Sequence, residues 1–361
     1  MLRRTCLFLL ASAAVASAKT PYSAGLSMNC VNFEGGLRLT VDVAIDGKSS
    51  QECLLDTGSS TLAFCDASLE SGLESLKTDY MSCNLYGSGN EGYWGFFYKG
   101  GIGVGGQVNI DSAYYSIMHQ EVSMPCGSGL QGIFGVAFKL LDQAAVHPGA
   151  LNWPSGGVGN CPQPSTDLVG PLMSYLKQDT PSGRLGIYWS GAVGSGTGEL
   201  YVGPSAESNS HYSSGTAQIA TLGETGYYDI TINSFSFAGQ THSDIQCNFN
   251  AGSPCLVDTG TPIMFVPSGV YQAIMNGQTG SLEMQLAGPS GTATLKFDAQ
   301  TLANNQYIAP YQGGPYIIGL PMWAFYYTVF NVDGRTMALV EHSPSELGAL
   351  KNQHRNRTIV V

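Results

Sequence analysis

The stretch Cys-Leu-Leu-Asp-Thr-Gly-Ser-Ser (residues 53–60) decides the fold, because a close copy, Cys-Leu-Val-Asp-Thr-Gly-Thr (residues 255–261), stands in the second half of the chain. Each copy runs from apolar residues into an aspartate, a threonine, a glycine and a second hydroxyl residue. A single Asp-Thr-Gly triplet is an ordinary turn sequence, since Asp and Gly both favour turns. Two copies in the same apolar setting indicate a duplicated chain, in which each half presents one aspartate at the end of a buried strand.

Length and composition agree with a duplication. The chain has 361 residues, more than the roughly 250–300 at which a single hydrophobic core stops growing. Hydrophobic residues make up 43% and charged residues 11%, a mixture that supports packed cores and excludes a disordered chain. The 47 glycines favour many short strands joined by tight turns. We therefore predict a mostly β chain with two similar lobes that face each other, and one helix over residues 168–178 with Thr166 as its N-cap.

The N-terminus has the pattern of a secretory signal. Arg3 and Arg4 precede a short apolar run, and Ala-Ser-Ala (residues 16–18) supplies a small-residue cleavage site. We expect residues 1–18 to be removed and the protein to be secreted or delivered to an acidic vacuole or lysosome-like compartment.

The chain lacks a run of about 20 apolar residues, so we expect no membrane span. Its formal net charge of −11 disfavours binding to nucleic acid.

The cysteines predict disulfides rather than a metal site. Cys6 lies in the signal, which leaves eight of the nine cysteines for an oxidising compartment, and an even number predicts four bridges. The chain has no Cys-x-x-Cys pair and no histidine spacing typical of metal ligands. We expect no metal and no other cofactor. The sequence leaves open whether the sequon at Asn356 is glycosylated.

The two aspartates, Asp56 and Asp258, are the predicted catalytic residues. Two carboxylates that lie close together cannot both ionise, so one pKa rises and the other falls. The pair then titrates as a unit that holds one proton in an acidic range. One carboxylate can accept a proton from a bound water while the other donates a proton to a carbonyl oxygen. Such a pair needs no covalent intermediate.

The residues around the aspartates are predicted to support them. The glycines allow each loop to turn sharply, the hydroxyl residues that follow donate a hydrogen bond to their own aspartate, and the threonines between cross to the opposite loop. These supporting residues are Thr57, Gly58, Ser59, Thr259, Gly260 and Thr261.

In these motifs the chain resembles the pepsin-type aspartic endopeptidases, over nearly all of the sequence after the signal. Further matching segments, in the family's order, are residues 86–89, 131–135, 226–231, 317–319 and 325–331. The resemblance implies a bilobal pepsin-like fold of two similar six-stranded-type β lobes with a cleft between them. It places the lobes at residues 19–204 and 205–345, with a short tail at 346–361. It also implies a monomer that cleaves peptide or protein substrates in acid.

The resemblance implies a flap, a hairpin tip that folds over the substrate, at Tyr86, Gly87 and Ser88, with Tyr80 as the alternative flap tyrosine. Ala63 stands where many family members have a tryptophan that hydrogen-bonds to the flap tyrosine. Leu320 follows Gly319 where an aspartate is common, which leaves the pH optimum open.

The resemblance implies a Cys247–Cys255 disulfide just before the second aspartate loop. We also predict that Cys65 pairs with Cys83 in the loop after the first. The partners of four cysteines remain open. They are Cys30, Cys53, Cys126 and Cys161.

A second interpretation is a non-catalytic member of the same fold that binds a protein or carbohydrate or acts as an inhibitor. Both aspartates, both glycines and both hydroxyl partners are present, which favours the enzyme. Few residues lie between the predicted cleavage site and the first strand, so the route of activation is open, as is the substrate preference.

Overall fold

The computed structural model describes most of the chain between residues 25 and 347. Within this range the undescribed residues are 34–35, 87–90, 123–125, 127–128, 139–140, 142, 147–165, 169, 173, 176–182, 224–225, 244, 246 and 249–254. Several predictions therefore lie outside the described residues: the signal at 1–18, Gly87 and Ser88 of the flap, Cys161, Asn356 and the tail after residue 347.

Strands dominate both halves of the chain. In the first half they are β1 Leu26–Phe33, β2 Gly36–Ile45, β3 Gln51–Asp56, β4 Leu62–Phe64, β5 Lys77–Tyr86, β6 Glu91–Val104, β7 Val108–Val122, β8 Gly132–Gly135, β9 Gln143–Val146, β10 Thr166–Asp167, β11 Arg184–Trp189 and β12 Gly194–Val202. In the second half they are β13 Gln218–Thr221, β14 Asp229–Ile230, β15 Ile232–Phe237, β16 Gln240–His242, β17 Cys255–Asp258, β18 Met264–Val266, β19 Ser281–Gly288, β20 Gly291–Asp298, β21 Ile308–Pro310, β22 Tyr316–Gly319, β23 Tyr326–Asn331 and β24 Thr336–Glu341.

The helices are short. α-Helices cover Ser268–Met275 and Ala299–Asn304, a further helical segment includes Pro171 and Tyr175, and 3₁₀ turns cover Ala67–Glu70, Glu74–Leu76, Gly203–Glu207 and Leu320–Ala324. Within the described part of the chain, none of the helices has the length and apolar character required to cross a membrane. The mostly β prediction is confirmed.

Among the described residues, fifteen strands form one continuous sheet, in the order β10-β9-β5-β6-β7-β4-β8-β3-β2-β1-β12-β11-β23-β24-β13. Alternation of apolar residues explains the strands that face the core. In β2, Leu39, Val41, Val43 and Ile45 are buried on one side while Asp42 between them is exposed. Because β11 pairs with both β12 and β23, the sheet runs on past residue 204, and the predicted lobe boundary there stays a prediction.

The duplication is visible in the way each aspartate strand is supported. β3 pairs in parallel with β8, with Asp56 opposite Gly135, and β17 pairs in parallel with β22, with Asp258 opposite Gly319. A Cβ atom on Gly135 would lie 2.5 Å from the backbone nitrogen of Thr61, and one on Gly319 would lie 2.0 Å from the carbonyl oxygen of Ile263. Only glycine fits where each supporting strand passes beneath its aspartate loop.

The predicted Cys65–Cys83 disulfide is wrong. Cys65 is bonded to Cys126, with the Cα atoms 5.4 Å apart, and Cys83 belongs to a different disulfide. Cys65 directly follows β4, while Cys83 lies on β5, and β6 and β7 stand between those two strands. Three strand spacings amount to about 14 Å, twice the reach of a disulfide. The second predicted pair, Cys247–Cys255, is bonded in the structure.

The expectation of four disulfides is also wrong. Cys53 is a free, buried thiol, so the eight cysteines after the signal cannot all be paired. Cys30 and Cys53 lie on β1 and β3, which are separated by β2, so their Cα atoms are about 10 Å apart, too far to be bridged to each other.

The helix predicted over residues 168–178 begins later than expected. Thr166 and Asp167 form strand β10, paired with β9, and the described helical residues start at Pro171. Proline at the first helical position fits this start, because its missing N–H would be unpaired there in any case. The helix at Ala299–Asn304 was not predicted, although Asp298 caps it by accepting a hydrogen bond of 2.7 Å from the Thr301 amide.

One buried histidine should make the fold sensitive to acid. His342 is 6% exposed, its ring packs 5.2 Å from that of Tyr188, and Glu346 and His211 are the charged groups nearby. Burial lowers the pKa of His342 to about 4, below its ordinary value of 6.5; Glu346 opposes this shift and His211 adds to it. Between these two values the unfolded chain binds a proton that the folded chain does not, so stability falls as the pH drops through that range.

We predict that His342→Gln removes part of this acid sensitivity. Wild type should lose about 3 kcal/mol more stability than the variant between pH 6.5 and 4. Urea unfolding of both proteins at half-unit pH steps would measure the difference. If the free energies of unfolding of the two proteins changed in parallel with pH, the acid sensitivity would not come from His342.

Candidate active site

Asp56 and Asp258 are brought side by side by the ends of β3 and β17, and the two carboxyl groups are hydrogen-bonded to each other. Asp56 is 6% exposed. The glycines that follow make the approach possible. A Cβ atom on Gly58 would lie 2.7 Å from Asp258 Oδ1, and one on Gly260 would lie 2.6 Å from Asp56 Oδ1. Any side chain there would displace the opposite carboxylate.

Each carboxylate accepts two hydrogen bonds from its own loop. The backbone N–H of Gly58 donates to Asp56 Oδ1 at 2.8 Å, and the hydroxyl of Ser59 donates to Asp56 Oδ2 at 2.7 Å. The second loop repeats this arrangement around Asp258, with the N–H of Gly260 at 2.8 Å from Oδ1 and the hydroxyl of Thr261 at 2.6 Å from Oδ2. Both carboxylates are therefore fixed in orientation by equivalent donors.

The two loops are locked together by their threonines. The N–H of Thr57 donates to Thr259 Oγ1 at 3.0 Å, and the N–H of Thr259 donates to Thr57 Oγ1 at 2.9 Å. Each hydroxyl in turn donates across the pair, from Thr57 to the carbonyl of Val257 at 2.9 Å and from Thr259 to the carbonyl of Leu55 at 2.7 Å. Both threonines are fully buried, so these four bonds are shielded from competing water.

Burial and mutual repulsion shape the electrostatics of the pair. Burial raises the pKa of Asp56 well above its usual range, and the charge of Asp258 raises it further; the hydrogen bonds from Ser59 and Gly58 oppose the rise. The pair consequently retains a proton at pH values where an exposed carboxyl has lost it. One protonated and one ionised carboxyl in contact can act as an acid and a base on one bound molecule.

The structure brings all the predicted loop residues together around the two aspartates. Tyr86, at the end of β5, reaches the site as well, since its side chain hydrogen-bonds with Ser59. Tyr80, the alternative flap tyrosine, instead packs beside Phe97 and Leu168. Among the described residues, no three potential metal ligands meet.

Tyr227 is a site residue that the sequence reasoning missed. It is half-buried, and burial raises its pKa, with the charges of Asp229, Asp56 and Asp258 adding to the rise. Asp229, two residues on, is fully buried and pairs with Leu256 on the adjacent aspartate strand β17. Tyr227 precedes the strand that begins at Asp229, so its place beside the pair carried no periodic signal in the sequence.

A comparison with protein-family models finds one match, to the eukaryotic aspartyl protease model over residues 42–309. The matched span covers well over half of the chain and contains both aspartate loops and Tyr86. A search of curated proteins finds no match.

We predict that Asp56→Asn stabilises the fold at neutral pH. Because the pKa of Asp56 is raised in the folded protein, its protonation contributes to stability. This contribution is fully present below about pH 3.8, the ordinary pKa of an aspartate, and is lost as the pH rises through the folded-state pKa. Asparagine removes the buried like charge, so the melting temperature of the variant relative to wild type should be higher at pH 7 than at pH 3. Calorimetry at both pH values would test this. An equal difference at both would contradict it.

Proposed function

Since the chain belongs to the eukaryotic aspartyl protease family, we propose that it is an aspartic endopeptidase that hydrolyses peptide bonds at acidic pH, using a water molecule activated between Asp56 and Asp258. The observation that carries the proposal is the contact between the buried carboxyl group of Asp56 and the half-buried one of Asp258, each held by an equivalent pair of donors. The mostly β chain with its duplicated aspartate loops fits the pepsin-like bilobal fold of that family.

The chemistry follows from one proton shared by two carboxyl groups. The ionised carboxylate takes a proton from a water molecule as the water oxygen attacks the peptide carbonyl carbon, and the protonated carboxyl gives its proton to the carbonyl oxygen. The resulting diol collapses when one of its hydroxyl groups gives its proton to the ionised carboxylate, the C–N bond breaks, and the amide nitrogen takes the proton of the other carboxyl group. The pair then again holds one proton, and all protons are accounted for.

The supporting bonds explain how the pair can work without large movements. Gly58 and Ser59 hold one carboxylate, Gly260 and Thr261 hold the other, and the threonine lock fixes the spacing between the loops. Groups fixed in advance have little reorganisation to undergo during the reaction. The site therefore has the preorganisation that acid–base catalysis requires.

The substrate is proposed to be a peptide segment in an extended conformation. Extended peptides bind by strand-like main-chain pairing, with side-chain pockets that set preference. We further propose that the protein acts as a monomer outside the cell or in an acidic compartment, in line with the signal pattern at residues 1–18 and the low content of basic residues.

The alternative is a peptide-binding protein or inhibitor of the same fold that does not cleave its ligand. Binding alone does not require two carboxyl groups in contact, and their repulsion costs stability. The complete set of donors on both loops favours the enzyme.

We predict that the protein released from its signal cleaves a denatured protein substrate between about pH 3 and 6, where a coupled carboxyl pair holds one proton. Asp56→Asn should lower kcat by about 10³-fold or more, because one member of the acid–base pair is lost. A statine-containing peptide, whose hydroxyl group stands for the attacking water, should inhibit. Product release from a quenched fluorescent peptide would measure all three effects.

The matched control is Asp79→Asn, which alters an exposed carboxylate on β5 and should leave turnover unchanged. Cleavage that survives unchanged in Asp56→Asn would rule out the proposed mechanism. A folded wild type that binds the statine peptide but cleaves nothing would favour the binding protein.

A further inference from the structure

Tyr86 sits in an apolar cluster next to the catalytic pair. It is half-buried at the end of β5, and its side chain packs against Ala63, Tyr93, Met118 and Ile133. Ala63 and Ile133 are directly paired across β4 and β8. The cluster therefore lies against the strands that carry and support the first aspartate loop.

The hydroxyl of Tyr86 completes a chain of hydrogen bonds that ends on Asp56. Tyr86 hydrogen-bonds with Ser59, and Ser59 donates to Asp56 Oδ2 at 2.7 Å. A serine hydroxyl has only one proton to donate. Because Ser59 gives that proton to Asp56, Tyr86 must be the donor to the Ser59 oxygen. The direction of the Ser59 hydroxyl, and hence one of the two bonds that hold Asp56, depends on where Tyr86 stands.

Tyr93 supplies the aromatic surface on which Tyr86 rests. Their rings stack with centroids 6.4 Å apart and an angle of 28° between the planes. Tyr93 is fully buried, and its hydroxyl accepts a hydrogen bond of 2.6 Å from the side-chain amide of Asn84. Asn84 lies directly opposite Tyr93 in the β5–β6 pair. The ring of Tyr93 is thus held both by its packing and by its hydroxyl.

The other buried residues of the cluster cannot orient the Tyr86 ring in this way. Ala63 is fully buried and has neither a ring to stack nor a side-chain group to hydrogen-bond with Tyr86. Met118 and Ile133 provide apolar contact without a fixed ring plane. Within the described part of the cluster, orientation of Tyr86 comes from the Tyr93 ring and from Ser59.

We propose that Tyr93, held by Asn84, is a positioning residue that keeps Tyr86 within hydrogen-bonding reach of Ser59 and so aligns the Asp56 carboxyl for the reaction. This inference rests on the proposed function. Tyr93 acts through Tyr86 and is not assigned any contact with substrate. A ring displacement of about 1 Å at a positioning residue can lower the rate by about 100-fold.

Tyr98 offers a matched control on the same strand. It is 1% exposed, its ring stacks on Tyr115 with centroids 5.8 Å apart, and its hydroxyl donates to Glu70 at 2.7 Å. Tyr98 therefore resembles Tyr93 in burial, stacking and hydrogen bonding. It packs in the main core instead of the Tyr86 cluster.

The test compares Tyr93→Leu, Tyr93→Phe and Tyr98→Leu in the full protein. Steady-state peptide hydrolysis is measured at a temperature at which all the variants are folded. Tyr93→Leu should lower kcat/KM by about 10- to 100-fold. Tyr93→Phe keeps the stacked ring and removes the hydroxyl group that accepts the hydrogen bond from Asn84, so its kcat/KM should stay within about fivefold of wild type. Tyr98→Leu should lower the melting temperature as Tyr93→Leu does, since both empty a buried site, while kcat/KM stays at the wild-type value.

A double-mutant cycle distinguishes positioning from simple packing. Once the side chain of Tyr86 is removed in Tyr86→Ala, adding Tyr93→Leu should lower kcat/KM little further, because Tyr93 acts through Tyr86. The inference would be overturned if the double variant lost kcat/KM by the product of the two single losses. It would also be overturned if Tyr93→Leu alone had wild-type kinetics.

Affinity for a statine-containing peptide, measured by calorimetry, separates this inference from the proposed function. A wild type that binds the peptide without cleaving substrates would refute the endopeptidase. In that case a tenfold or greater loss of affinity in Tyr93→Leu, but not in Tyr98→Leu, would still support the positioning of Tyr86, and equal affinities would overturn it. A wild type that neither binds nor cleaves would overturn both.

Discussion

The interlock between Thr57 and Thr259 is the contact on which the rest of the site depends. Four hydrogen bonds of 2.7–3.0 Å join two loops that are 202 residues apart in the chain. They are buried, so a threonine lost from either side would leave a backbone amide and a carbonyl without partners, at a cost of about 1–3 kcal/mol for each group. Because the lock fixes the distance between the loops, it also fixes the contact between the two carboxyl groups. The shared proton is a consequence of this geometry.

The same packing gives the protein two buried groups with opposite dependence on pH. Asp56 is less favourable in the fold as the pH rises, since burial and Asp258 raise its pKa. His342 is less favourable as the pH falls, since burial lowers its pKa. Between about pH 4 and 6.5 the two ranges overlap, and there the two effects on stability oppose each other. The pH dependence that comes from Asp56 is inseparable from the proposed chemistry. The pH dependence that comes from His342 arises in packing that involves Tyr188 and Glu346.

The sequence predicted those features that are encoded locally. The repeated Asp-Thr-Gly motif predicted the pair, its glycines and its hydroxyl donors. Features set by the order of strands in space were not predictable. Cys65 meets Cys126 because β4 lies next to β7 and β8, and Cys30 and Cys53 stay apart because β2 runs between their strands. The positioning by Tyr93 also requires a neighbour seen only in three dimensions, since one aromatic in a strand is ordinarily a core residue.

The energetic cost of the aspartate pair bears on the choice between an enzyme and a binding protein. Burial of Asp56 and its contact with the Asp258 carboxyl group raise the pKa of Asp56, so the fold gives up stability at neutral pH to keep the two groups together. One carboxylate and one amide would fill the same space and accept bonds from the same loops without that repulsion, and a peptide held by strand-like pairing would bind equally well. Only a reaction that moves one proton onto a carbonyl oxygen and another off a water needs both acids. The presence of the second acid, with its full set of donors from Gly260 and Thr261, is therefore best explained by hydrolysis.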